Sequence, residues 1–172
     1  MPDGVFGVEV VTPEKALVAG PATAVMLRTS TGEMTVLDGH TALVGDVVPG
    51  LVRVEQPDGT LLRLAVHGGF LQVDTRPGAA DGLVEGGEGG PLPGMTTRVT
   101  LLAGVTELAE DIDVPRAERA QEAAAQRVTE LQTGRAGPVG DLEGESGGFE
   151  LQQAEAALAR AELRLSVAAG AA

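Results

Sequence analysis

The chain has 172 residues, no cysteine and three aromatic side chains, all phenylalanine. This length suits one domain with a small appendage, and the core must be aliphatic. A formal net charge of −13 repels phosphate backbones and anionic lipid headgroups, so we expect no nucleic-acid binding and no direct lipid insertion. Without cysteine, disulfides and thiolate metal sites are excluded.

Short apolar runs separated by turns fill residues 5–75. The sequence Gln56-Pro57-Asp58-Gly59 is the clearest hairpin signal, because Asp-Gly between two apolar runs favours a tight turn. Closely spaced short strands without a helical period predict an antiparallel sandwich or barrel. The predicted strands are Val5–Val11, Ala24–Thr29, Met34–Leu37, Leu51–Glu55, Thr60–Val66 and Phe70–Asp74.

Residues 75–97 are rich in glycine and proline. A segment of this composition buries too little apolar surface to offset the entropy lost on ordering. We therefore predict a flexible insertion at about 75–97 in a strand-to-strand loop, followed by a strand at Thr97–Val105. The β domain is predicted to span residues 1–110.

The spacing of apolar residues becomes helical after Asp111. Apolar residues recur three or four apart in two stretches, which predicts two amphipathic helices joined by a Gly-rich linker at about 133–148. Residues 111–172 should form an antiparallel hairpin that opens easily, because its alanine-rich stripes are narrow. The first stripe is Ala117, Ala120, Ala124, Val128 and Leu131, and the second is Leu151, Ala154, Leu158, Ala161 and Leu165.

The sequence indicates no catalytic centre. Gly144-Glu145-Ser146-Gly147-Gly148 matches G-x-S-x-G, but Ser146 is expected in the linker, and both His40 and His67 precede it. The sequence His67-Gly68-Gly69 is interpreted as a tight turn between strands. We predict no catalytic residue, no metal site and no required cofactor.

Several short segments occur in a distinctive order along the chain. Together they resemble the epsilon subunit of bacterial F-type ATP synthases over about 6–74, 98–132 and 150–168. The segments are Val8-Glu9-Val10-Val11-Thr12, Gly32-Glu33-Met34, Gly39-His40, Val48-Pro49-Gly50-Leu51-Val52-Arg53, Gly68-Gly69-Phe70-Leu71-Gln72-Val73, Glu110-Asp111-Ile112-Asp113-Val114-Pro115-Arg116-Ala117 and Arg160-Ala161-Glu162-Leu163-Arg164-Leu165-Ser166-Val167-Ala168.

The resemblance implies an α+β, mainly β fold: an N-terminal antiparallel ten-strand β-sandwich followed by a C-terminal two-helix hairpin. It implies a central-stalk rotor subunit that couples proton flow to ATP synthesis at the cytoplasmic face of the bacterial plasma membrane. The implied partners are the gamma subunit, the c-ring and, transiently, the alpha/beta hexamer. The contact candidates, which are otherwise ordinary solvated turns, are Gly32, Glu33, Met34, Gly39 and His40.

The resemblance also implies regulation by the hairpin. In the family the hairpin folds against the sandwich or extends beside gamma, and the extended form blocks ATP hydrolysis. Some members bind regulatory ATP through an Ile-Asp-x-x-Arg-Ala motif, and the alternative here is a solvated polar face with an Asp113–Arg116 ion pair. The matching residues are Glu107, Ile112, Asp113, Arg116, Ala117, Arg160 and Arg164.

Two other hypotheses stay open from the residues alone. The chain could be a free-standing β-sandwich interaction module with a mobile tail. It could also be a small hydrolase that uses Ser146. The first predicts no ATP synthase partner, and the second predicts an esterase activity that depends on Ser146.

Overall fold

The computed structural model describes residues 4–75, 95–133 and 145–170. The chain separates into two compact units, Met1–Ala109 and Glu110–Ala172. The expected insertion at about 75–97 and the expected linker at about 133–148 lie largely outside the described residues and stay predictions. The first unit is built of strands, and the second contains two long helices, so the predicted fold class is confirmed.

Ten strands form the first unit. They follow the order β10-β7-β6-β3-β5-β8-β9-β1-β2, with β4 paired on β3. The strands are β1 (Phe6–Val11), β2 (Ala16–Ala22), β3 (Ala24–Thr29), β4 (Gly32–Val36), β5 (Leu43–Val47), β6 (Gly50–Glu55), β7 (Leu61–Val66), β8 (Gly69–Thr75), β9 (Thr97–Ala103) and β10 (Thr106–Leu108).

The sheet curls into two layers at the junction of β3 and β5. Only one residue pair, Thr29 with Val47, joins these two strands. One layer contains β10, β7, β6, β3 and β4, and the other contains β5, β8, β9, β1 and β2. All pairings are antiparallel except β1 with β9. The enclosed core is aliphatic, as expected, with Phe6 as its one aromatic member.

Two turns confirm the predictions for their glycines. In the β6–β7 hairpin, Gly59 has φ +85° and donates its N–H to the Gln56 carbonyl at 2.9 Å. Thr60 donates its N–H to the Asp58 carboxylate at 2.8 Å, and this hydrogen bond lowers the pKa of Asp58. Between β7 and β8, Gly68 has φ +110°, as the predicted tight turn requires, and Gly69, the first residue of β8, approaches the neighbouring strand so closely that a Cβ would lie 2.2 Å from the Leu102 carbonyl oxygen.

Four strands differ from the sequence prediction. Strands β2, β5 and β10 lie outside the predicted strands, and the predicted Thr97–Val105 strand ends at Ala103. Strand β2 contains Pro21, which an edge strand accepts because the missing N–H can face solvent. Strand β5 contains Gly45 and Asp46, both of low strand propensity, and pairing with β8 overrides that preference.

The second unit is a pair of helices, α1 (Val114–Gln132) and α2 (Glu145–Ala168). The Asp113 carboxylate caps α1 by accepting the Arg116 N–H at 3.0 Å, and Pro115 lies in the first turn, as predicted. Helix α2 begins at Glu145, inside the predicted linker, so the prediction that Ser146 lies in a linker is wrong. Glycine has low helix propensity, which explains why Gly147 and Gly148 were assigned to a linker.

The apolar stripes of both helices are largely as predicted. Ala117 and Ala124 of α1, and Ala154 and Ala161 of α2, are buried. Ala120 is exposed, whereas the next residue, Gln121, is half-buried. The prediction for Ala120 is therefore wrong, because the buried face follows a seven-residue repeat of alternating four and three steps rather than the assumed spacing.

Candidate partner-binding surfaces

The turn between β3 and β4 presents the first group of predicted contact residues. Gly32 begins β4 with φ +134°, a backbone conformation that favours glycine. Glu33 is exposed, and Met34 is half-buried against the hydrophobic core. Of this group, only Glu33 therefore offers a fully exposed side chain to a partner.

Hydroxyl groups hold this turn in place. The Thr29 and Thr31 hydroxyls are 2.9 Å apart, and Thr29 Oγ1 donates to the Gly32 carbonyl at 3.1 Å. Ser30 Oγ donates to the Asp46 carboxylate of β5 at 2.8 Å. The turn therefore presents a polar surface to its surroundings, with its backbone fixed to both layers of the sandwich.

The second predicted contact group lies in the loop 37–42, between β4 and β5. His40 donates its N–H to the Leu37 carbonyl at 3.1 Å, and Gly39 has φ +75°, as a tight turn requires. The Gly39 N–H donates to Thr97 Oγ1 at 2.8 Å, and Thr75 Oγ1 donates to the His40 carbonyl. The loop is thus bonded to the end of β8 and the start of β9.

The structure separates the two predicted contact groups along β4. Gly32 begins this strand, and Gly39 and His40 follow its other end. Four residue steps at about 3.3 Å each place the two ends of β4 roughly 13 Å apart. Gly32 and Glu33 therefore do not share a single loop with Gly39 and His40.

An apolar patch on the outer face of the second layer was missed by the sequence analysis. We call Val44, Phe70 and Leu102 the apolar patch, and they are 75%, 62% and 49% exposed. Phe70 lies directly opposite Leu102 on the paired strands β8 and β9, and Val44 lies opposite Gln72. The sequence analysis placed Phe70 and Leu102 in predicted strands without assigning them to a face of the sheet, because apolar residues occupy both faces of these strands.

A shallow depression extends the apolar patch beyond Leu102. Its volume is about 350 Å³, and its lining includes Val11, Pro13 and Gly104. Val11 is the direct neighbour of Leu102 on the parallel pair of β1 and β9. Apolar side chains thus continue across β8, β9 and β1 on this face, whereas on β5 the exposed Asp46 lies opposite Phe70.

The predicted nucleotide-binding residues divide between the two units. Glu107 lies on β10 of the first unit, and the rest lie on or next to the hairpin helices. The Asp113 carboxylate acts as the cap of α1, while Arg116 and Arg160 are exposed. The alternative Asp113–Arg116 ion pair does not form among the described residues, since the cap uses the backbone of Arg116 rather than its guanidinium.

One ion pair sets the register of the hairpin. The Arg127 guanidinium of α1 lies 2.9 Å from the Glu150 carboxylate of α2, which joins the C-terminal part of α1 to the N-terminal part of α2, as an antiparallel hairpin requires. Counting outward from this pair brings Arg116 level with Arg160, to within one residue. On the same count, Ala124 and Ala154, and likewise Ala117 and Ala161, are level to within one residue. The predicted arginines therefore lie at the same end of the hairpin.

The described residues offer neither a metal centre nor a membrane-crossing helix. No group of histidine, aspartate and glutamate side chains within 4–75, 95–133 and 145–170 is placed to hold a metal ion. Likewise, neither described helix is long and apolar enough to cross a bilayer. The surface features that stand out are the apolar patch and the two polar loops at the ends of β4.

The fold and these surfaces define a two-unit binding protein, in which a β-sandwich is followed by an antiparallel helical hairpin. Residues 5–77 match the family ATP synthase, Delta/Epsilon chain, beta-sandwich domain. Residues 110–169 match the family ATP synthase, Delta/Epsilon chain, long alpha-helix domain. The chain therefore belongs to the delta/epsilon chain family of ATP synthases.

Individual relatives support the epsilon chain. The ATP synthase epsilon chain of Streptomyces griseus is 36% identical over 117 residues, covering 68% of this chain and 77% of that protein. The epsilon chain of Brevibacillus brevis is 34% identical over 123 residues, covering 72% and 77%. These matches confirm the resemblance found in the sequence and do not favour a free-standing module.

A solved structure supports the fold. A chain in the cryo-EM structure of the Euglena gracilis mitochondrial ATP synthase, OSCP/F1/c-ring, aligns with a TM-score of 0.61 at 23% identity. The alignment covers 94% of this chain and 79% of that chain. At this level of identity the match bears on the fold of the chain.

Proposed function

We propose that this chain is a non-catalytic rotor subunit of a bacterial ATP synthase, which binds the gamma subunit and the c-ring and couples proton flow to ATP synthesis. The observation that carries the proposal is the apolar patch, which an acidic chain leaves exposed on one face of its sandwich. Contiguous exposed apolar surface marks protein-binding sites. The family to which the chain belongs makes gamma the partner that we assign to this face.

The apolar patch has the composition of an interface centre. Phenylalanine is among the residues enriched in interfaces, and covering a side chain such as Phe70 contributes on the order of 2 kcal/mol. Leu102 lies opposite Phe70, so a partner that covers one side chain also covers the other. Polar side chains border the pair of Phe70 and Leu102: Asp46 lies opposite Phe70 on β5, and Gln72 and Thr100 lie in the next row, where Gln72 is opposite Val44.

The polar turn at Gly32–Met34 suits a different partner surface. Its hydroxyl groups, the exposed Glu33 carboxylate and the loop at Gly39 and His40 provide hydrogen-bonding groups rather than apolar area. We assign these ends of β4 to the polar loops of the c-ring and to adjoining gamma. In this arrangement the subunit lies peripherally at the cytoplasmic face of the plasma membrane, held there by the complex.

The hairpin is proposed to regulate ATP hydrolysis by changing between a folded and an extended form, the extended form reaching transiently toward the alpha/beta hexamer. Such a switch requires two states separated by only a few kcal/mol. The small alanine side chains between α1 and α2 support this, because they bury little area. The cross-helix ion pair is also exposed, so it adds at most about 1 kcal/mol.

Regulatory ATP is a further part of the proposal. Arg116 and Arg160 are exposed at the same level of the hairpin, and guanidinium groups suit phosphate oxygens. Since Asp113 serves as the helix cap, the arginines are the groups assigned to the phosphates. Calorimetric titration of the full chain with ATP, compared with Arg116→Ala, tests this site, and identical heats would remove it.

A pull-down from the native host tests the main proposal. A tagged full-length chain should retrieve the gamma subunit together with a membrane-bound ATPase. Phe70→Asp should abolish retrieval, because it places a charge at the centre of the apolar patch. Leu61→Asp is the matched control, since Leu61 is 47% exposed but lies on β7 of the other layer. If the unaltered chain never retrieves gamma, the proposal fails.

A further inference from the structure

Two threonine side chains connect the loop 37–42 to the sheet. Thr97 is the first residue of β9, and its hydroxyl oxygen accepts the Gly39 N–H at 2.8 Å. Thr75 is the last residue of β8, and its hydroxyl donates to the His40 carbonyl. Two adjacent loop residues are thus bonded to two neighbouring strands.

The strength of this attachment follows from burial. Thr97 is 1% exposed, so the packed sheet fixes the position of its hydroxyl oxygen. Gly39 and its neighbour Asp38 are exposed, and the turn bond from the His40 N–H to the Leu37 carbonyl lies within the loop itself. The His40 ring Nδ1 also lies 2.8 Å from the Thr41 carbonyl, within the loop, whereas the bonds that join Gly39 and His40 to the sheet come from Thr97 and Thr75.

We propose that Thr75 and Thr97 are positioning residues that preset the loop 37–42 for binding to the rotor. This inference rests on the proposed function, in which the loop contacts a rotor partner. A loop already held in its bound conformation loses less conformational entropy on association. Removing either hydroxyl should therefore weaken binding, although neither threonine belongs to the contact residues assigned above.

The test measures binding of the full-length chain to a purified gamma–c-ring subcomplex. Thr97→Val removes the acceptor for the Gly39 N–H while keeping the side-chain shape, and Thr97→Ser restores a hydroxyl. Thr106→Val is the matched control, because Thr106 is also buried, at 8% exposure, but its hydroxyl forms no hydrogen bond within the described residues. Hydrogen exchange of the Gly39 amide, followed by NMR, gives a second readout.

We expect Thr97→Val to weaken binding about fivefold to tenfold, which corresponds to the net contribution of one hydrogen bond. The Gly39 amide should exchange faster by a similar factor. Thr97→Ser and Thr106→Val should bind the subcomplex with an affinity within about twofold of that of the unaltered chain, because neither change removes a hydrogen bond to the loop. If Thr97→Val does not fold, Thr75→Val with Thr75→Ser as its rescue replaces it, and the same weakening is expected.

Two negative results have different meanings. If the unaltered chain does not bind the subcomplex, the proposed function fails, whereas the Gly39 exchange rates still report on the attachment. If the unaltered chain binds and Thr97→Val binds equally tightly, despite faster exchange at Gly39, the positioning role is overturned while the proposed function stands.

Discussion

Replacing Ala124 with leucine tests whether α1 and α2 pack closely through their alanines. Ala124 is 8% exposed and comes level with Ala154, which is 7% exposed. Helices that meet through alanine lie at the short end of the usual 8–10 Å range of interaxial distance. A leucine introduced there has no space unless the helices separate.

The expected cost can be estimated from the added volume. Extra methylene groups in a packed interface destabilise by about 1–3 kcal/mol. A cost of this size reduces the ratio of folded to open hairpin about 5-fold to 150-fold. Because the described helices all belong to the second unit, the helical circular dichroism signal of the full chain reports on the hairpin.

The assay is thermal unfolding of the full chain followed at 222 nm, with Ala120→Leu as the control. Ala120 lies on the same helix, one turn from Ala124, but is exposed, so leucine there should change stability by only a few tenths of a kcal/mol. Ala161→Leu should reproduce the effect of Ala124→Leu from the other helix. If Ala124→Leu and Ala120→Leu unfold at the same temperature, the inference that α1 and α2 pack closely through their alanines is wrong.

Three further predictions concern the aliphatic core, the close approach of Gly69 to the Leu102 carbonyl, and the hairpin. Leu101→Ala should lower the free energy of unfolding by about 2–5 kcal/mol in urea titrations, because Leu101 is 1% exposed in the aliphatic core, and a loss below about 1 kcal/mol would contradict this. Gly69→Ala should shift the urea midpoint downward, since its Cβ would lie 2.2 Å from the Leu102 carbonyl, and an unchanged midpoint would be inconsistent with that approach. Deleting residues 111–172 should preserve coupling and raise ATP hydrolysis in membrane vesicles, whereas unchanged hydrolysis would show that the hairpin is not inhibitory.

The strands that were predicted from sequence have local signals that agree with their tertiary environment. The β6–β7 hairpin has an Asp-Gly turn between apolar runs, and both its turn and its strands were predicted correctly. Strand β5 has no such agreement, since Gly45 and Asp46 interrupt it. Its conformation depends on pairing with β8, a contact that local sequence does not encode.

The surfaces were harder to predict than the fold for a related reason. Phe70 and Leu101 are both apolar residues in short strands, yet Phe70 faces outward and Leu101 faces the core. Strand alternation distinguishes the two faces only when one face is polar, and apolar residues occupy both faces here. The family resemblance grouped Glu33 with His40 but could not reveal that the two lie toward opposite ends of β4.

The hairpin and the sandwich differ in the size of the side chains that they bury. The sandwich is closed by fully buried leucine, valine and phenylalanine side chains, whereas the buried residues of α1 and α2 are four alanines and Val167, and the Arg127–Glu150 pair between the helices is exposed. A ligand changes a 1:99 population into 99:1 only by supplying about 5.5 kcal/mol of differential affinity. A small buried interface between α1 and α2 lowers the differential affinity that such a switch requires. The proposed switch therefore requires the alanines to remain small, and for the same reason their enlargement should affect regulation of hydrolysis before it affects binding of the sandwich to the rotor.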